Sequence, residues 1–452
     1  MGKSPTGRVA AMSHTAALTG EDEAWRTIFR QYGVIEIEDS EDIADLGRIF
    51  GPRTMISGKR LGIVTTSGGA GIIMSDRAWD MGLEVDPLPD DVQKYLGRYV
   101  PSFGSTVNPV DLTAQIINEP EGFSSCLEAL LGCPDVDMAA VLISMITGDS
   151  GAHLTKKIIE AARSTDKPLA CCWLINREQG GAFLDELRES GVPLFRSPKR
   201  CAWALSQLVR WKYRPGLPSL VPEDLQKPFL PELPSDLTEY DSKQLLSKWG
   251  VRVTREILVS SLESAISAAG EIGYPVALKV VSPDIIHKTE AGAVALRLRD
   301  EEVLRNAYGR LLERSASSVP NARIRGVLIQ EMISGGMECM IGVKRDPLFG
   351  PIVAVGLGGI FVEILGDVSL RQAPVDRKEA LEMIRSLRGY PLLSGARGGV
   401  PVDVEALAEM VAKISLMACA EDTLAELDIN PVFVLENGAV AVDAIAIRSE
   451  IA

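Results

Sequence analysis

The chain has no apolar run approaching the ~20 residues that a helix needs to cross a bilayer. Nor do residues Gly2 to Ser13 contain the apolar stretch of a secretory signal. From both, the chain is expected to be cytoplasmic. Positive charge is also scarce: 47 Lys and Arg stand against 61 Asp and Glu, a net charge of −14. Non-specific attraction to nucleic acid or to anionic lipid needs a cationic surface, so neither is expected as a partner. Any polyanion must therefore be held by a local site. The seven cysteines are odd in number and scattered, with no C-x-x-C pair. They read as reduced, partly buried residues and not as a disulfide or zinc framework. No low-complexity segment or short repeat is present. Histidine is scarcest of all, with His14, His153 and His287 the three in 452 residues.

What is there is enough chain for two or three domains. Arg60 to Thr66 form an apolar run that ends in Ser67-Gly68-Gly69-Ala70-Gly71 and then a helical pattern, which reads as strand, glycine turn and helix N-terminus. Apolar runs at Val136 to Met145, Pro168 to Ile175 and Val192 to Phe195 alternate with helical stretches such as His153 to Arg163 and Ala182 to Glu189. That βαβ rhythm predicts a flavodoxin-like, doubly wound parallel sheet over 56–212. Six prolines between Tyr213 and Pro234 predict a stiff linker over 213–236. Beyond it, over 237–452, runs of strands punctuated by helices predict an α+β domain. Residues 1–55 fit neither domain and read as the tail of a domain whose beginning is absent.

Several residues could carry chemistry. His14 lies in Ser13-His14-Thr15-Ala16-Ala17-Leu18, and His287 in Pro283-Asp284-Ile285-Ile286-His287-Lys288, a loop between two strands. Imidazole is a good phosphoryl acceptor, one nitrogen attacking while the other is oriented; the plain alternative is a solvated loop histidine. That plain reading is taken for His153. Lys279 stands inside the apolar strand Pro275 to Val281, where an ammonium needs an anion such as a nucleotide phosphate, unless it snorkels from an edge strand. Asn430 and Asp443 flank a hairpin signal at Glu436-Asn437-Gly438, which would bring two hard oxygen ligands together for Mg²⁺. Gly356 to Gly359, followed by Glu363 and Asp367, allows close backbone approach to a ligand. Gly68, Gly69 and Gly71 open a helix whose N–H groups could hold a phosphate, structural turn glycines being the alternative.

Taken together these segments resemble the ADP-forming acetyl-CoA synthetase family, related to succinyl-CoA synthetase, over nearly the whole chain. The Ser13 to Leu18 segment resembles the family's phosphohistidine loop, departing from it at Ala16. Pro283 to Lys288 matches the second histidine motif of its ATP-grasp domain. The resemblance implies His287 as the nucleotide-side phosphohistidine and His14 as the one beside the CoA site. It also implies Lys279 as a phosphate contact, Glu331, Met332 and Ile333 as the strand end near adenine, and Asn430 and Asp443 as Mg²⁺ ligands. Gly358 to Arg371, with Gly359, Glu363 and Asp367, would form an active-site wall. Gly68 to Gly71 and Asn108-Pro109-Val110-Asp111 resemble the ligase domain, whose helix N-terminus faces the phosphohistidine loop. Residues 1–55 would be the remnant of a succinyl-CoA-synthetase-like domain, followed by a ligase domain over 56–212 and an ATP-grasp domain over 237–452. The family's N-terminal CoA-binding domain is absent from the sequence given. The implied reaction uses ATP, Mg²⁺, CoA and a short-chain or aryl carboxylic acid, gives ADP, phosphate and acyl-CoA, and calls for a CoA-binding partner or a homo-oligomer. Two rivals stay open: an ATP-grasp ligase forming an acyl phosphate without phosphohistidine, and a non-catalytic nucleotide-binding scaffold.

Overall fold

The computed structural model describes residues 22–51, 56–214, 236–285, 288, 290–359 and 366–449. The chain divides into two compact units, Gly33–Pro215 and a second made of Met1–Tyr32 with Gly216–Ala452.

In the first unit the near-continuous apolar runs become five strands, β1 (Leu61–Thr65), β2 (Val110–Asp111), β3 (Met138–Ser144), β4 (Leu169–Leu174) and β5 (Leu194–Phe195). All pairings are parallel, in the order β2-β1-β3-β4-β5. This is the flavodoxin-like order expected from the βαβ rhythm, with the order of strand addition reversing between β1 and β3. Strand β1 is buried throughout, as is β3 except at Ser144. The reason is that separate apolar clusters, one around Leu127, Val141 and Trp173 and another around Ile63, Met74 and Leu205, draw alternate strand residues. Asn108 finishes the edge of β1: its Oδ1 accepts the Ile63 N–H at 2.9 Å and its Nδ2 donates to Leu61 O at 2.8 Å.

The second unit carries two antiparallel sheets. The smaller contains β6 (Glu256–Val259), β7 (Val276–Val281), β8 (Val294–Leu298) and β9 (Gly326–Glu331) in the order β6-β9-β7-β8. Helices Leu262–Ile272 and Glu301–Ser318 pack on it through Ala265, Ala269, Leu304 and Leu311. The larger contains β10 (Met337–Asp346), β11 (Gly350–Leu357), β12 (Val368–Gln372), β13 (Leu424–Val434), β14 (Ala439–Ala441) and β15 (Ile445–Arg448). Its order is β12-β11-β10-β13-β14, with β15 also on β13, and helices Arg377–Arg385 and Val404–Ala420 share its core. The α+β expectation holds here.

The described part of 1–55 is shared between the units. Helix Ser40–Ile49, closed by a capping box between Asp39 and Asp42, holds Arg200 through Asp45 at 2.6 Å and Asp42 at 3.3 Å. Helix Asp22–Gln31 instead joins the two-sheet unit. The Gln31 amide accepts the Gln372 N–H at 2.7 Å and donates to Gln372 O at 3.1 Å, so a side chain completes the free edge of β12. All seven cysteines are unbridged, and burial pushes the thiols of Cys126, Cys172 and Cys339 up to about 12. Among the described residues no helix is long and apolar enough to cross a membrane.

Candidate active site

Lys279 is on β7, which lies between β9 and β8 and is buried at all six positions. It is therefore not a snorkelling edge residue. Its Nζ lies 2.6 Å from Glu239 Oε1 and 3.3 Å from Asp443 Oδ2, with only 8% of the side chain exposed. Glu239 opens helix Glu239–Lys248, which the Thr238 and Asp241 capping box starts. One turn on, Lys243 Nζ reaches Glu239 Oε1 at 2.7 Å and also pairs with Glu256 of β6. Lys288 Nζ lies 3.0 Å from Glu239 Oε2. Three ammonium groups thus meet three carboxylates in an almost dry cluster. Buried charges survive only when matched in this way.

The groups do not titrate alike. Burial would raise the Glu239 pKa, but Lys279, Lys243 and Lys288 outweigh it and hold the carboxylate below its ordinary range. Burial would lower Lys279, yet Glu239 and then Asp443 raise it, so the ammonium stays charged. Glu256 goes the other way, burial lifting it despite Lys243.

The β13–β14 hairpin forms at the expected turn. Leu435 N–H donates to Gly438 O at 2.9 Å, and Gly438 has φ 89°, a conformation that glycine adopts without a side-chain clash. Val432 pairs with Ala441 and the Val442 N–H donates to Pro431 O at 3.0 Å, so the next residues outward, Asn430 and Asp443, lie opposite each other. Asp443 Oδ2 accepts from Lys279, while its Oδ1 is buried without a hydrogen-bond partner. Desolvation, and then the Asp443 charge, raise the Asp428 carboxylate two residues before Asn430. An orphaned carboxylate oxygen beside an amide and a second carboxylate is a donor set that fits Mg²⁺. No group of three His, Cys, Asp or Glu is preassembled for a metal among the described residues. Mg²⁺ needs no such group, since it binds through one or two side chains and otherwise through substrate phosphates and water.

The remaining expected residues fall in different settings. Glu331 ends β9, where its carboxylate accepts the Arg255 N–H at 2.8 Å and Nε at 3.0 Å; Met332 and Ile333 continue half-buried toward β10. Gly358 donates to Glu338 O at 2.7 Å, and a Cβ there would lie 3.0 Å from the Glu338 backbone; Gly359 has φ 61°. Both carboxylate oxygens of Asp367 are engaged by backbone N–H groups, Arg388 at 2.9 Å and Gly389 at 2.8 Å. In the parallel-sheet unit, helix Gly68–Asp80 follows β1. A Cβ on Gly68 would lie 2.8 Å from Asp111 Oδ2 and one on Gly71 3.0 Å from Thr65 Cγ2, whereas Gly69 is open. His153 is exposed on helix Gly148–Arg163, as its plain reading requires. His14, His287 and Glu363 lie outside the described residues. Sequence reasoning missed Glu239, Lys243 and Glu256. The spacing of Glu239 and Lys243 by four reads as an ordinary surface ion pair, and nothing local signals that both are buried.

The ATP-grasp domain family matches residues 230–447, the Ligase-CoA domain family 61–195, and the succinyl-CoA ligase-like flavodoxin domain family 1–50. The chain is similar to acetate–CoA ligase [ADP-forming] I of Archaeoglobus fulgidus, with 34% identity over 458 residues, 98% of this chain and 64% of the relative. It is similar to 4-hydroxybutyrate–CoA ligase [ADP-forming] of Nitrosopumilus maritimus at 32% identity, covering 97% of this chain and 64% of that one. Against the beta subunit of acetate–CoA ligase [ADP-forming] I of Pyrococcus furiosus identity rises to 45% over 208 residues, 46% of this chain and 90% of the subunit. With an ATP-grasp unit, a parallel-sheet ligase unit and these relatives, the chain belongs to the ADP-forming acyl-CoA ligase family. It spans 64% of the length of the first two relatives.

Proposed function

We propose that the chain is the nucleotide-using part of an acid–thiol ligase that converts ATP, a carboxylic acid and CoA to ADP, phosphate and acyl-CoA. The observation that carries this reading is the meeting of Lys279 with Asp443, opposite Asn430, at the mouth of an otherwise dry ion cluster. A cation for phosphate oxygens and hard ligands for Mg²⁺ are the two things phosphoryl transfer asks of a protein. Mg²⁺ bound by Asn430 and Asp443 would neutralise charge on the nucleotide phosphates.

Lys279, charged and fixed on a central strand, binds the phosphate oxygens and orients the terminal phosphoryl group; Glu239 holds the ammonium in place. Met332 and Ile333 offer a half-buried apolar wall for the base. The His287 imidazole takes the γ-phosphoryl group as ADP leaves and passes it to His14. From His14 it goes to the carboxylate, and the CoA thiolate then attacks the acyl phosphate and expels inorganic phosphate. Two carriers suit a nucleotide site and an acyl-CoA site too far apart for direct transfer.

The acid is of the short-chain or aryl carboxylic class, relatives of 34% and 32% identity being named for acetate and for 4-hydroxybutyrate. A CoA-binding partner fits the division of a relative into subunits. The cytoplasm supplies ATP, CoA and a reducing setting for seven free thiols.

The test is incubation with Mg²⁺ and γ-labelled ATP, scoring acid-labile, base-stable phosphate on the protein. Label lost in His287→Ala and kept in His14→Ala is the expected result. Absence of label from every version, with ATP demonstrably bound, would remove the relay.

A further inference from the structure

Away from the Lys279 cluster, a cavity of about 590 Å³ opens between helix Asp22–Gln31 and strand β12. Arg26 and Arg30 line it from the helix, one turn apart, and Ser369 and Arg371 from the strand. Its size falls among small-molecule sites rather than packing defects. Its lining is unusual in charge, because three guanidinium groups face one space in a chain of net charge −14.

Arg371 is the informative member. Its Nε is buried with no hydrogen-bond partner, and its Nη1 donates only to the carbonyl of the preceding residue, Leu370, at 2.8 Å. Glu379 lies near, but its Oε1 is 3.6 Å from Nε, beyond hydrogen-bond length, and also accepts from Gln31 at 3.2 Å. Burial first, and then the Arg30 charge, push the Arg371 guanidinium below its ordinary range, with Glu379 and Glu382 opposing. A donor held this way costs free energy that an oxyanion in the cavity would recover. Ser386 Oγ donates to Ser369 Oγ at 3.1 Å, which leaves the Ser369 proton to point elsewhere.

We infer that this cavity binds a phosphate-bearing small molecule, gripped by Arg26, Arg30 and Arg371 with the Ser369 hydroxyl as a further donor. Guanidinium forks match phosphate oxygens in pairs, and three of them suit a group carrying more than one negative charge. The site shares no residue with the Lys279 cluster, although Arg371 ends the Gly358 to Arg371 stretch that the family resemblance implies as an active-site wall.

The experiment is isothermal titration of the full chain with inorganic phosphate, pyrophosphate and tripolyphosphate, at constant ionic strength without Mg²⁺. Wild type, Arg30→Gln, Arg371→Gln and Lys279→Met are compared. At least tenfold weaker binding in Arg30→Gln, near loss in Arg371→Gln and retention in Lys279→Met are expected. Arg30 is exposed, so its variant decides the matter if circular dichroism shows that Arg371→Gln fails to fold. Equal affinity for phosphate and pyrophosphate would assign the ligand as a single phosphoryl group; preference for the longer anions would assign a polyphosphate or nucleotide. No binding by wild type, binding unchanged in Arg30→Gln, or binding lost in Lys279→Met alone would overturn the site.

Discussion

Glu239 accepts from Lys243 and Lys279 through one oxygen and faces Lys288 with the other, so its charge organises the whole ion cluster. Replacing it with glutamine leaves three buried or half-buried ammonium groups short of one negative charge. Breaking a buried network in this way costs about 3–5 kcal/mol, and Glu239→Gln is expected to show that loss in urea unfolding at pH 7. Lys279→Met is different, because Glu239 keeps two other lysines. It should fold and yet lose at least a hundredfold in nucleotide-dependent phosphorylation, measured by single-turnover labelling. Asp137, in the other unit, gives a pH prediction. Arg60 holds its carboxylate down to about 2 from an ordinary 3.8. A lowered carboxylate pKa contributes stability that is complete above the unfolded value and is lost as pH falls through the folded one. Asp137→Asn should therefore cost on the order of 1–2 kcal/mol at pH 7, allowing for the exposure of Arg60. The difference from wild type should close between pH 4 and pH 2.

At the scale of elements, the strand–glycine–helix turn after β1 was legible from Arg60 to Gly71, but the separate duties of its glycines were not. Gly68 and Gly71 are pressed against Asp111 and Thr65, whereas Gly69 has open space. Gly69→Ala should leave stability within about 0.5 kcal/mol of wild type or raise it. Gly71→Val, by contrast, should cost about 1–3 kcal/mol through overpacking; thermal melts of the pair separate the two cases. The hairpin joining β13 and β14 was equally legible, since Glu436-Asn437-Gly438 is a local signal and register follows from it. Strands β6 and β12 escaped sequence reading. Each is short, with mixed burial, and is defined by its neighbour across the sheet: β6 by β9, and β12 by β11 and the Gln31 side chain.

On the scale of the whole molecule, two units with separate cores imply that a ligand of one protects that one. Mg²⁺ and ATP at a hundred times the dissociation constant should stabilise the unit holding Lys279 by about 2.7 kcal/mol. Hydrogen exchange should show added protection across β7, β9, β13 and β14 and little in β1 to β5. Residues 22–50 carry the lesson at this scale. They matched one family stretch in sequence, yet their helices fold onto different units, because Arg200 draws Ser40–Ile49 and Gln372 draws Asp22–Gln31.

The sequence by itself determined the parallel half and the α+β character of the other, because hydrophobic periodicity and turn residues are local properties. It also singled out Lys279, Asn430 and Asp443 as candidate positions, since a lysine in an apolar strand and polar residues flanking a hairpin stand out locally. Tertiary structure alone decided that Lys279 is central and paired, that Glu239, Lys243 and Glu256 are buried in its cluster, and that Asp367 is engaged by backbone N–H groups. The physical reason is that burial and charge pairing depend on residues far apart in the chain: 40 positions separate Glu239 from Lys279, and 164 separate Lys279 from Asp443. No local pattern encodes such distances.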